Sequence, residues 1–248
     1  MVGKLPVPII FSPLNGATFH VGETFQLVGY GVTANGTTLD ATTDLTWEVR
    51  QMHNTHYHPF LDATIGNEIR LSPAPSPEDF QASTTSFLRV LLTATDPTTG
   101  LSQTIIRDLM PKTKTFYFQT NPPGLSLNLD GFNIQTPTNG TEALEVVSWI
   151  NHNISLRVED QGDMIFDSWN NGMQSREGKL MVREEKEKEN VNDGGTTSTT
   201  PPKMKIRTAR FRRRDNSTTT TAAAAATATA TTSTTATTTT TTTTATTT

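Results

Sequence analysis

The chain has 248 residues, of which 33% are hydrophobic, carries a formal net charge of -4 and contains no cysteine. That inventory excludes disulfides, thiolate metal sites and cysteine nucleophiles, and it supplies no overall positive field to draw nucleic acid or an anionic membrane. No window reaches the ~18 consecutive apolar residues of a membrane helix, so neither a membrane span nor a nucleic-acid partner is expected.

The first residues, MVGKLPVPIIFSP, lack an apolar h-region followed by a cleavage site. Either the protein is not exported by that route or its true N-terminus is missing. Residues 6–12 are apolar, are bracketed by prolines and run into Pro-Leu-Asn-Gly, which predicts an edge strand leading to a turn. Phe19, Val21, Phe25, Leu27 and Gly29 alternate across Gly22-Glu23 and predict a half-buried hairpin. Asn35-Gly36 marks the next reversal, in a loop that runs on to Asp44.

From Leu45 the odd positions Leu45, Trp47 and Val49 read as a core face, with Glu48, Arg50 and Asn54 toward water. Residues 61–86 hold Pro73, Pro75 and Pro77 and are mostly connection, with one short strand at 68–71. Leu88, Val90, Leu92 and Ala94 alternate cleanly; the chain turns at 96–100 and returns over 101–109 as the partner strand. Roughly seven short strands with no helical period predict an all-β fold, a β-sandwich over residues 1–112.

Beyond it, residues 115–120 form another strand, and Leu125, Leu127 and Leu129 alternate up to Asp130-Gly131, predicting a hairpin between the two. Val146, Ile150, Ile154, Leu156 and Val158 lead on to Phe166, Trp169 and Gly172. Residues 113–182 are thus a small second β domain whose ~70 residues give a thin core that leans on its neighbour. From 183 the composition changes to a mixed-charge run, a Gly/Thr/Pro linker, a basic patch and a Thr/Ala tract. Such a segment buries too little apolar surface to offset chain entropy, so 183–248 is expected to be a disordered tail, either an O-glycosylated stalk or an unmodified low-complexity one. In the patch, Arg207, Arg210, Arg212, Arg213 and Arg214 suit a nuclear signal, a phosphate-binding surface or a solvated charge run, and Phe211 alone could stack a base.

Several of these residues together carry a resemblance. Ser12-Pro13, the stretch from Gly16 to Glu23, Trp47-Glu48-Val49, the histidines and Leu92-Thr93-Ala94-Thr95-Asp96 resemble the immunoglobulin-like module of polycystic-kidney-disease (PKD) type. More narrowly they are similar to the version appended to secreted glucose/sorbosone dehydrogenases, in which a Trp-bearing strand leads into His-X-X-His-X-His-Pro, here His53, His56, His58 and Pro59. The Phe-X-X-Trp-X-X-Gly ending at Gly172 resembles the small β module that follows in the same enzymes. One departure is that Leu88 stands where such modules place a tyrosine. The resemblance implies an extracellular or cell-surface glycoprotein that is not an enzyme by itself, an accessory module for carbohydrate or protein binding. Its alternative is a fragment of a quinone-dependent sugar dehydrogenase whose catalytic β-propeller lies outside this chain.

The histidines are the compact polar cluster. His56 and His58 project from one face of an extended strand and could share a metal if a third ligand arrives from elsewhere, while His53 faces the other way unless a bulge or turn intervenes near Asn54. The alternative is a set of hydrogen-bonded surface imidazoles closing the end of the sandwich. Trp47, His53, His56, Tyr57 and His58 are the candidate ligand-binding surface, since aromatic faces stack on sugar rings and imidazoles donate to hydroxyls. No cofactor is expected in the chain beyond calcium or another divalent metal. Metal candidates are His56, His58 and Asp96, with Asp40 and Asp44 as further loop carboxylates suited to calcium or, equally, to forming turns. Asn35, Asn139, Asn153 and Asn216 head glycosylation sequons. Trp149 and Trp169 read as core. No phosphate loop, nucleophile elbow or His-Glu-X-X-His signature is present.

Overall fold

A computed structural model describes residues 4–184 and 206–214. Sixteen strands and one 3₁₀ turn are found there, with no α-helix among the described residues. In chain order the first eight strands are β1 (Val7–Ser12), β2 (Thr18–Phe19), β3 (Gln26–Val32), β4 (Leu45–His53), β5 (His56–Ile65), β6 (Ile69–Arg70), β7 (Phe87–Thr95) and β8 (Ser102–Pro111). Then come β9 (Thr113–Asn121), β10 (Ser126–Leu129), β11 (Phe132–Gln135), β12 (Leu144–Trp149), β13 (Asn153–Arg157), β14 (Met164–Trp169), β15 (Glu177–Met181) and β16 (Ile206–Arg213).

The first eight strands make two open sheets, ordered β1-β3-β6 and β2-β8-β7-β4-β5. Alternation decides what they bury. Leu45, Trp47 and Val49 of β4 and Leu88, Val90, Leu92 and Ala94 of β7 are all fully buried, and they meet Ile10 and Leu27 of the smaller sheet. The indole N–H of Trp47 donates to Gly66 O at 3.1 Å, so the one polar atom of that side chain is satisfied. Gly29 of β3 lies close against the other layer: an added Cβ would lie 2.9 Å from Trp47 Cζ2 and 2.8 Å from Leu92 Cδ2.

The remaining strands form two further sheets, β11-β10-β13-β15 and β12-β9-β16-β14. Phe118, Leu127, Leu129, Val146, Ile154, Phe166 and Trp169 fill the space they enclose. Only Lys112 separates β8 from β9. Trp149 ties this half to the first. It joins the first core, meets the Phe19 ring edge-on at 5.3 Å, and its indole N–H donates to Ser83 O at 2.8 Å. The described residues up to Arg212 belong to one compact unit; of the second unit, only Arg213 and Arg214 are described.

Three local expectations are corrected. Phe19 and Leu27 do not belong to one hairpin, because β2 runs parallel to β8 while β3 pairs with β1 and β6, so the chain crosses between layers there. Likewise β9 and β10 lie in different sheets, and the hairpin is β10–β11 around Asp130 and Gly131, both with positive φ. Alternation marks a strand with one buried face, and both layers of a sandwich satisfy it equally. Finally, Ile206–Arg213, assigned to the disordered tail, is a strand running parallel to β9. Ala209 is buried and Phe211 packs edge-on against Phe166 at 5.9 Å, so this short segment finds apolar contacts that its composition did not advertise. The rest of the predicted tail, 185–205 and 215–248, lies outside the described residues.

Candidate functional site

The β4–β5 hairpin builds the site. β4 ends at His53, Asn54 adopts a left-handed backbone (φ 49°), and β5 begins at His56 after a two-residue turn. Asparagine tolerates that conformation better than most side chains. The register sets His53 opposite His56, Met52 opposite Tyr57 and Gln51 opposite His58. Directly opposed residues share a face, so all three imidazoles point to the same side, the side on which Trp47 and Val49 enter the core. β5 is the outer strand of its sheet, a position where Pro59, lacking an N–H, is tolerated.

A carboxylate arrives from the connection before β7. That segment is held by the side-chain amide of Gln51, which donates to Ser76 O at 3.1 Å, and by the Ala74 backbone paired with Gly22 and Glu23. Glu78 follows. Its Oε2 lies 2.8 Å from His53 Nδ1 and 3.1 Å from His58 Nε2, while His56 Nε2 is 3.2 Å from His58 Nε2. His53 is buried, 8% exposed, whereas His56, His58 and Glu78 open to solvent. One donor atom from each of the four residues can be chosen so that all lie within 4.8 Å of one another. Among the described residues this is the one such gathering of three or more histidine or acidic side chains.

On the opposite face of the hairpin, Tyr57 is 45% exposed and the Arg50 guanidinium sits 4.3 Å above its ring centroid. Glu48 hydrogen-bonds that guanidinium and holds the Arg50 pKa above its usual value. Trp47, counted among the ligand-binding residues, is fully buried beneath the sheet and presents no face to a ligand.

Asp96 does not join the histidines. β4 and β7 pair from Met52–Phe87 at one end to Leu45–Ala94 at the other, and Asp96 follows β7 at the far end, nine residues beyond Phe87 and so roughly 30 Å away at ~3.4 Å per residue. Its Oδ1 accepts from the Thr98 backbone N–H at 2.9 Å, and this bond is the chief reason its pKa lies below the ordinary aspartate value. Asp40 is similar. Its Oδ1 accepts from the Thr42 hydroxyl and backbone N–H, which lower its pKa in that order, and Asp44 Oδ2 accepts from the Asp40 N–H at 3.0 Å. These carboxylates are spent on their own turns. Asn35, Asn139 and Asn153 are exposed, and Asn216 lies outside the described residues.

In β16, Arg207 is partly buried, which lowers its pKa, while Arg210, Arg212 and Arg213, and Arg214 just after the strand, remain exposed. Phe211, the one aromatic ring available to stack a base, is committed to Phe166.

No protein-family model, curated protein or solved structure matches the chain.

Glu78 is the residue that sequence reasoning missed. It sits in a proline-rich connection with no fixed spacing to the histidines. The His53–His56 alignment was legible: a two-residue turn makes residues i and i+3 direct partners, and the left-handed Asn54 supplies that turn.

Proposed function

We propose that the chain is a non-catalytic accessory module of extracellular type, a PKD-like sandwich with a following small β domain, that binds carbohydrate or a partner protein. The observation that carries this reading is the tip of the β4–β5 hairpin. There Tyr57 is exposed on one face of the hairpin with Arg50 stacked on its ring, and His56 and His58, exposed on the opposite face, are able to donate to hydroxyls. The sequence resemblance to the appendage of secreted glucose/sorbosone dehydrogenases supports the same class of role, and no helix among the described residues is long and apolar enough to cross a membrane.

The test is titration of the full chain with a panel of neutral oligosaccharides, followed by the NMR signals of Tyr57 and the His56 and His58 rings. A saturable shift at these residues, lost in Tyr57→Ala, is expected. An unchanged spectrum across the panel would remove carbohydrate from the proposal, and pull-down with secreted proteins that is insensitive to Tyr57→Ala would remove the site itself.

A further inference from the structure

The geometry points to a binding site for a divalent first-row transition ion, of the zinc class, formed by His53, His56, His58 and Glu78. It stands independently of carbohydrate recognition, because it rests on the interior of the cluster and not on Tyr57.

The donor atoms already converge. Glu78 Oε2 accepts a hydrogen bond from His53 Nδ1 at 2.8 Å and lies 3.1 Å from His58 Nε2, which is itself 3.2 Å from His56 Nε2. A cation at the centre would be met by one lone pair from each of three imidazoles and by the negative charge of Glu78.

The spacing fits such an ion. Four ligands at about 2.0–2.1 Å from zinc in a tetrahedron stand about 3.3 Å apart. The contacts of 2.8, 3.1 and 3.2 Å lie close to that edge, and the widest separation of 4.8 Å closes with small rotations of side chains that are mostly exposed. The donor set also decides the class of ion. Three imidazole nitrogens with one carboxylate oxygen suit zinc, copper or nickel, whereas calcium and magnesium take oxygen ligands.

Local structure keeps the four together. His53 and His56 are cross-strand partners at a tight turn, His58 is two residues along the same face, and Gln51, itself opposite His58, anchors the segment that delivers Glu78. The ion would therefore clamp the β4–β5 tip to the 71–80 connection, and removing it would loosen that connection first.

The test uses full-length protein without a histidine tag, stripped with chelator and titrated with zinc sulfate by calorimetry, then with cobalt(II) to read coordination from its visible absorption. One zinc per chain, a raised Tm and the intense cobalt spectrum of a four-coordinate nitrogen/oxygen site are expected. His56→Ala and Glu78→Gln alter exposed side chains, so their metal-free urea midpoints should match the wild type. Each should weaken zinc by more than the ~10- to 100-fold that losing even an outer-shell partner causes. Binding that is absent, that exceeds one ion with no loss in either variant, or that prefers calcium would overturn the proposal. Zinc binding without any glycan response would leave it standing while the carbohydrate reading falls.

Discussion

Gly29→Ala tests whether the two layers of the first sandwich are in the close contact that fixes Trp47. Gly29 is the partner of Ile10 in the β1–β3 ladder, and its N–H donates to Asn67 Oδ1 at 2.9 Å. A methyl group there would stand 2.7 Å from Ile9 O, 2.8 Å from Leu92 Cδ2 and 2.9 Å from Trp47 Cζ2. The first of these is backbone and cannot swing aside, and the other two belong to fully buried side chains. Overpacking of this kind costs ~1–3 kcal/mol, against which alanine recovers ~0.5–1 kcal/mol of the glycine penalty in a strand. The net loss is about 1–2 kcal/mol, equivalent to a fall in Tm of roughly 2–8 °C for a chain of this size. Thermal unfolding followed by near-ultraviolet circular dichroism reads both the midpoint and the Trp47 environment. Gly178→Ala in β15 is the control, because its Cβ would meet nothing within 4 Å and its backbone is not in the left-handed region. A Gly29→Ala protein as stable as the control would refute the close packing of β3 on β4 and β7.

Trp149→Phe keeps the ring against Phe19 but strands the Ser83 carbonyl, and it should lower the urea midpoint through a loss of ~1–3 kcal/mol in unfolding free energy, the cost of a buried group left without its partner. Equal midpoints would mean that the Trp149–Ser83 bond does not tie the second half to the first. Ending the chain at residue 184 removes β16, opens the edge of β9 and uncovers the Phe166 ring that Phe211 packs against. Lower Tm and increased dye binding to apolar surface are expected relative to a chain ending at residue 214, and identical curves would show β16 to be dispensable. Asp96 has a folded pKa below its unfolded one, so its contribution is complete above the ordinary value of 3.8 and fades as pH falls through the folded value. Asp40 acts in the same direction. Asp96→Asn should be less stable than wild type at neutral pH and approach it as acid is added below pH 3.8; a difference that stays constant down the acid limb would contradict this.

The sandwich was readable because burial on one face forces a period of two, and β4, β7 and β8 are long enough to display it. Pairing was not readable from the same signal. Phe19 and Leu27 both point into the first core, yet from opposite layers, and nothing in their alternation separates a hairpin from a crossing between sheets. Composition misled in the other direction at β16. Ile206, Ala209 and Phe211 are the only apolar residues among arginines and threonine there, and they suffice because β9 and β14 already offer unpaired edges for a strand to fill.

The histidine site shows why spacing has to be read together with the turn that interrupts it. On a continuous strand, positions 53 and 56 differ by an odd number and lie on opposite faces. Folding the chain back over Asn54 and Thr55 converts that odd offset into a direct cross-strand pair, and the motif's second step, from 56 to 58, then stays on the same face. His-X-X-His-X-His is thus the pattern a two-residue hairpin requires in order to present three imidazoles on one side. Spacing within the motif could never reveal the carboxylate that completes the set, because Glu78 reaches His53 across 25 residues of chain. What holds it there is the packing of Leu71, Ala74 and Pro77 beneath the connection. The acid that completes the proposed metal site is therefore placed by buried residues and backbone bonds of the connection, and substituting Ala74 with a larger side chain should loosen zinc binding without touching a ligand.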